Sequence, residues 1–158
     1  MRLYLLVAAT VVSALAGCNA TRDPKPATIS DADVLMKATG YWEWESSTTR
    51  GARLTPASVG FSRQLVFKSD GKVHIYHNRQ PELQAVYRLS QEVDACQPPQ
   101  PQPVAVPMVR YTAEAQFPNS DLRRYGIALA AADTTLYVDG VGLCTDTGAA
   151  ERYRWRSK

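Results

Sequence analysis

The sequence is poor in the residues and motifs that carry catalysis or metal binding. It has only two histidines and three cysteines among 158 residues. The G-x-S-x-G nucleophile motif, the P-loop, the Rossmann glycine pattern and the H-E-x-x-H zinc motif are all missing. Its 18 basic and 15 acidic residues leave a net charge of only +3, which argues against a nucleic-acid partner. The sequence therefore predicts no enzyme, no nucleic-acid binding, no metal site and no cofactor.

Long hydrophobic runs are also scarce, and the one at the N-terminus is short. Residues 3–16 are almost wholly apolar and follow a positively charged Arg2, but a bilayer span needs about 20 residues. The run ends in Leu15-Ala16-Gly17-Cys18. This ending resembles the lipobox of bacterial lipoproteins, in which two small residues precede a cysteine that receives a diacylglyceryl group. The alternative is an ordinary secretory signal followed by a coincidental cysteine.

The lipobox resemblance implies a cellular location for the protein. Residues 1–17 would be a signal peptide, and Cys18 would be the lipidated N-terminus that attaches the chain to a membrane. Residues 18–29 are polar with two prolines and predict a tether. Asn19, rather than Asp, follows the cysteine, which by resemblance to the sorting rule of enteric bacteria favours the outer membrane. We expect a periplasm-facing domain.

Cys96 and Cys144 remain as a pair once Cys18 is lipidated. An even pair in an oxidising compartment predicts a disulfide between Cys96 and Cys144. A zinc site built from these cysteines with His74 and His77 is disfavoured. Residues three apart on a strand point to opposite faces, so the two histidines cannot chelate one ion without a bulge.

From Gly40 onward the hydrophobic pattern has the period of strands. Ser30 can cap a short helical turn over residues 31–38, after which Trp42 and Trp44 alternate with Glu43 and Glu45. About eight short alternating segments follow, several joined by turns such as Ser69-Asp70-Gly71. Because closing a sheet removes its exposed edges, residues 30–158 predict an all-β, eight-stranded antiparallel up-and-down barrel, with an open sandwich as the alternative.

Gly40-Tyr41-Trp42 at the start of the first strand, with Arg154 and Arg156 in the last, resembles the lipocalin (calycin) pattern. The segments LVFKSDGKVHIYHN and AVYRL are similar to those of small bacterial lipocalin-like lipoproteins. The resemblance implies that Gly40, Trp42 and Arg154 close one end of the barrel, with the arginine stacked on the indole.

Two binding functions stay open at this stage. In the first, a small apolar or amphipathic ligand lies in the barrel, and its walls are inward aromatic side chains: Trp42, Trp44, Phe67, Tyr87 and Tyr125. In the second, these side chains and Phe61 fill the barrel. It then serves as an interaction module for an envelope protein or as an inhibitor, with the proline-rich residues 97–107 as a contact loop.

Overall fold

The computed structural model describes residues 30–37, 39–93, 101–113, 121–130, 133–140 and 148–158. The predicted signal peptide and tether, Cys18, Cys96 and Cys144 lie outside the described residues, so the signal peptide, the lipidation and the disulfide stay predictions. The strand ends that flank Cys96 and Cys144 are Val93 and Gly140. Within the described residues, no helix is long and apolar enough to cross a membrane.

The described chain is built almost entirely of strands. Two short helices interrupt them: α1 (Asp31–Leu35) and α2 (Pro56–Val59). The strands are β1 (Gly40–Thr48), β2 (Arg53–Leu54), β3 (Arg63–Phe67), β4 (Lys72–His77), β5 (Gln80–Val93), β6 (Ala105–Ala113), β7 (Asp121–Leu129), β8 (Thr134–Gly140) and β9 (Ala150–Ser157).

The strands form the predicted closed barrel. Neighbours pair antiparallel in the order β1-β3-β4-β5-β6-β7-β8-β9, and β1 also pairs with β9 from Gly40↔Ser157 to Thr48↔Ala150. This pairing joins the two edges, so eight strands close on themselves, which confirms the predicted architecture. Strand β2 is a two-residue addition to the end of β1 and stands outside the ring.

Helix α1 lies across one end of the barrel. Ser30 caps it through a reciprocal pair of hydrogen bonds with Asp33. The Tyr125 hydroxyl of β7 donates to the Asp31 carboxylate at 3.0 Å, and the Trp42 indole N–H of β1 donates to the Leu35 carbonyl at 3.1 Å. We call this the α1 end. The opposite end, where β1 leads through α2 to β3, is the α2 end.

The barrel interior is filled by its own side chains. Alternation along each strand sends one set inward, and eight side chains of this set expose 2% or less of their surface. These side chains are Trp42, Trp44, Val73, Ala85, Val109, Leu136, Val138 and Tyr153, with Leu35 of α1 beneath them. Interiors packed this closely leave little room for a guest molecule.

Strands β5 and β6 stay paired with each other beyond the point where each pairs with its other neighbour. Pairing of β5 with β4 stops at Val86, and pairing of β6 with β7 begins at Met108. Residues 91–93 and 105–107 therefore pair only with each other and form a two-stranded ribbon. Because β5 runs from the α2 end to the α1 end, this β5–β6 ribbon lies at the α1 end.

Candidate functional site: the polar cluster at the α2 end

Charged side chains meet inside the barrel near its α2 end. Arg63 of β3 places Nη2 2.6 Å from Oε1 of Glu151 on β9, and Arg123 of β7 places Nη1 3.1 Å from Oε2. The Tyr153 hydroxyl donates to Glu151 Oε2 at 2.8 Å. We call Arg63, Tyr111, Arg123, Glu151 and Tyr153 the α2-end cluster.

Strand alternation puts these charges inside. Arg63 shares the inward phase of β3 with Leu65 and Phe67, and Glu151 shares that of β9 with Tyr153. The Glu151 side chain is only 10% exposed. A carboxylate withdrawn from water this far is costly unless it is paired and hydrogen-bonded. The two guanidinium groups and the phenol supply those partners.

The cluster changes the titration of its members. Burial raises the pKa of the Tyr153 phenol well above its ordinary value, and the charge of Glu151 raises it further. Burial likewise raises the pKa of Tyr111, although nearby Arg123 opposes this. Burial alone would lower the pKa of Arg123, but Glu151 and Asp121 outweigh it and the pKa is raised. Both arginines therefore stay charged, and both tyrosines stay neutral to high pH.

Aromatic rings surround the Arg63 guanidinium. Its central carbon lies 5.3 Å from the centre of the Trp44 ring and 5.7 Å from that of Tyr153, within the range of cation–π attraction. Phe61, which leads from α2 into β3, stacks on Trp44 at 5.5 Å. His77 meets the edge of Phe61 at 4.5 Å. The α2 connection is thus attached to the cluster through a continuous series of rings.

With Asp121 included, the positive and negative charges at the α2-end cluster are equal in number. Arg123 also forms an ion pair of 2.7 Å with Asp121, so two guanidinium groups face two carboxylates. The arginine side chains keep about a quarter of their surface accessible, 28% for Arg63 and 27% for Arg123. The arrangement can stiffen this end of the barrel and can offer two cations to a group arriving from outside. Within the described residues, no group of three potential metal ligands occurs.

The five aromatic residues predicted to face a ligand all lie in the core: Trp42, Trp44, Phe67, Tyr87 and Tyr125. The polar groups of these side chains already form hydrogen bonds with other protein atoms. Trp44 donates to the Ser47 hydroxyl at 2.9 Å, and Tyr87 donates to the Lys68 carbonyl at 3.2 Å. Phe67 packs edge-on against Tyr87 at 4.9 Å. They act as packing in this structure.

The α1 end is closed by Trp42, but its partner is not the predicted arginine. Trp155 meets Trp42 edge-on at 5.4 Å, and the Lys37 ammonium lies 5.5 Å from the Trp155 ring centre. A Cβ on Gly40 would overlap the Arg156 carbonyl and the Trp155 ring, so only glycine fits there.

The expected stacking of Arg154 on Trp42 is wrong, because alternation places Arg154 on the outer wall. There it pairs with Glu45 and with Asp133, the latter at 3.4 Å. The neighbouring arginines are also paired outside, Arg152 with Glu45 at 3.0 Å and Arg156 with Glu43 at 2.9 Å. Each of these three arginines is thus paired with a carboxylate, and we call this set of ion pairs on the outer wall the outer ladder.

Sequence reasoning missed Arg123 and Glu151 as interior charges. The signal was present, because Arg123 stands two residues before Tyr125, which was assigned to the interior, and Glu151 stands two residues before Tyr153 in the alternating last strand. Charged residues at inward phase near a strand end are easily taken for solvated rim residues. Their convergence depends on which strands lie opposite one another.

The chain was compared with protein-family models, with curated proteins and with solved structures, and no match was found in any of the three. The barrel itself is a fold that hosts many unrelated functions. The function must therefore be argued from the packing and the charges of this chain.

Proposed function

We propose that this protein is a lipid-anchored, non-enzymatic barrel that presents its α2 end to a protein of the bacterial envelope. The observation that carries the proposal is the packed interior, in which eight inward side chains expose 2% or less of their surface. A barrel packed in this way has the properties of a rigid support rather than a carrier.

The position of the tether supports the choice of the α2 end. The described chain begins at Ser30, the cap of α1, so residues 18–29 join the domain at the α1 end. Acyl chains on Cys18 would hold that end towards the bilayer and leave the α2 end free to meet other molecules. The outer-membrane address and the periplasm-facing orientation remain part of this proposal.

The chemistry of the α2 end suits a protein surface as partner. Glu151 ties β9 to β3 and β7, which fixes the strand ends on both sides of it. Leu54 and Leu83 are large apolar side chains that are exposed at this end. Exposed apolar groups on a rigid, charge-balanced frame are typical of interaction surfaces.

Kinship with lipocalin-like lipoproteins is also proposed. It is supported by the eight-stranded barrel, by a helical turn that leads into Gly40-Tyr41-Trp42, and by Trp42 at the closed end. The absence of an Arg154–Trp42 contact departs from the pattern, with Trp155 in its place.

Site-specific photo-crosslinking in the native host tests the partner. A benzophenone amino acid replaces Leu83 at the α2 end, and the control replaces Tyr137 on the outer wall, since these side chains are equally exposed, 40% and 41%. One discrete adduct from position 83 and none from position 137 is the expected result. Equal or absent adducts at both positions would remove the α2 end as the interaction surface.

A second candidate function is the binding of a small amphipathic ligand with an acidic head group at the α2 end. The accessible quarter of Arg63 and Arg123 beside Phe61 favours it, because guanidinium groups bind carboxylates and phosphates. Native mass spectrometry of the Cys18→Ser protein, purified from its own host, separates the two candidates. A stoichiometric adduct that Arg123→Gln abolishes and Arg152→Gln retains would establish the ligand, whereas a clean protein mass favours the packed module.

Lipid anchoring has its own test. Cys18→Ser should move the protein from the membrane fraction to the soluble envelope fraction, because the acyl chains supply the membrane affinity. A variant that stays in the membrane fraction would show that Cys18 is not the anchor.

A further inference from the structure

We infer that the α1 end of the barrel is a membrane-contact surface, on which exposed apolar side chains rest against the bilayer that anchors the chain. The inference rests on the proposed lipidation of Cys18. It adds an orientation to the anchor, because the domain would stand on its α1 end rather than swing freely on the tether.

The tether leaves the domain beside β7. Asp31 follows the cap residue Ser30 and accepts a hydrogen bond from Tyr125 of β7. The tether therefore begins at the α1 end of the barrel, beside β7. Residues 18–29 can span at most about 40 Å when fully extended.

The most exposed large apolar side chains of the described residues lie on this same side. They are Leu129 at 63%, Val104 at 59% and Val93 at 52%. Leu129 ends β7, Val104 directly precedes β6 and Val93 ends β5, and these three strands are adjacent in the barrel. The three positions are the α1-end positions of neighbouring strands, next to the point where the tether begins.

The β5–β6 ribbon carries two of these three side chains. Val93 pairs with Ala105 at the last described pair of the ribbon, past the last pairing with β4 and with β7. Val104 directly precedes Ala105, so Val93 and Val104 lie together at the α1 end. Together with Leu129, they give the α1 end apolar contacts on the side where the tether begins.

Bromolipid quenching of introduced tryptophan tests the orientation. The full lipidated chain is reconstituted in vesicles of phosphatidylethanolamine and phosphatidylglycerol with brominated acyl chains. The variant is L129W at the α1 end, and the matched control is L83W, an exposed leucine at the α2 end. The native tryptophans Trp42, Trp44 and the partly buried Trp155 are common to both variants and to the parent, so quenching is scored as the difference from the parent protein. Equal thermal melts of variants and parent establish that both are folded.

Flotation of the vesicles tests the lipid anchor separately from the orientation of the domain. If the protein floats, we expect bromolipid to quench L129W more than the parent and to quench L83W no more than the parent. A floating protein in which both variants, neither variant or only L83W is quenched more than the parent overturns the membrane contact while the anchor stands. If neither is quenched and copies crosslink through V93C, the surface is instead an interface between two chains. A protein that does not float overturns the anchor and the contact together.

Discussion

Glu151 accepts hydrogen bonds from arginines on both sides of the barrel seam, which is the pairing of β1 with β9 that closes the ring. Arg63 approaches it from β3, beyond β1, and Arg123 approaches it from β7, beyond β8. One carboxylate therefore connects strands on both sides of the β1–β9 pairing that closes the ring. Its removal would loosen the barrel at the α2 end of this pairing, where Glu151 lies opposite Ser47.

Glu151→Gln is expected to lower the free energy of unfolding by about 3 kcal/mol, because two largely buried guanidinium groups lose their shared counter-charge. The partial exposure of both arginines keeps the expected loss at the lower end of the range for broken buried pairs. Urea denaturation of the mature domain measures it. Glu43→Gln, which breaks the exposed pair with Arg156, serves as the control and should cost less than about 1 kcal/mol. Equal losses in the two variants would show that the cluster contributes no more than the outer ladder.

Gly40→Ala is expected to destabilise the protein by about 1–3 kcal/mol, because the new methyl group would overlap the Arg156 carbonyl and the Trp155 ring. Gly126→Ala is the matched strand control, since nothing lies within 4 Å of a Cβ at that position. That variant should be unchanged or more stable by up to about 1 kcal/mol. Thermal melting of both variants decides the comparison, and a harmless Gly40→Ala would contradict the close contact.

Leu136→Ala should cost about 3 kcal/mol, because Leu136 is fully buried in the barrel and its truncation leaves a cavity. The same substitution at exposed Leu129 should change the unfolding free energy by less than about 0.5 kcal/mol. Chemical denaturation of the Cys18→Ser protein without membranes gives both values. A small cost at position 136 would mean that the interior is loosely filled and would reopen the case for a ligand inside.

Alkaline pH should unfold the protein. Burial, with Glu151 adding to it, raises the pKa of Tyr153 above the ordinary value of about 10, so the unfolded chain loses this proton first. The contribution of the buried tyrosines to the free energy of unfolding is fully present below pH 10. It falls as the pH rises beyond 10, by up to about 1.4 kcal/mol per pH unit for each buried tyrosine.

Denaturation midpoints between pH 8 and pH 12 measure this alkaline slope. Tyr153→Phe should have the shallower slope, because it removes one ionising group from the unfolded chain. An unchanged slope would show that Tyr153 titrates alike in both states.

Alternation predicted most of the core, and the cost of exposed sheet edges predicted the closed barrel. The side chains that a period of two sends inward are buried: Trp42, Trp44, Leu65, Phe67 and Tyr87. The two edges of the sheet meet, as the argument from exposed edges predicted. These features depend on local pattern, which a single sequence contains.

The contacts between distant strands could not be predicted in the same way. Arg154 was assigned to Trp42 by resemblance, although its own alternation with Tyr153 and Trp155 already placed it outside. The convergence of Arg63, Arg123 and Glu151 depends on the stagger of strands far apart in the chain, which no local pattern encodes.

The β1–β9 pairing also has a consequence for the order of events in the proposed export. The barrel closes only when Gly40 and Ser157, at opposite ends of the domain, come together. A chain that crosses a membrane N-terminus first must wait with β1 unpaired on its β9 side until β9 has emerged. Contacts so distant in sequence make folding slow and leave a strand edge open to wrong partners meanwhile. In the proposed export, the interval between translocation and ring closure is thus the period in which this domain most needs a chaperone.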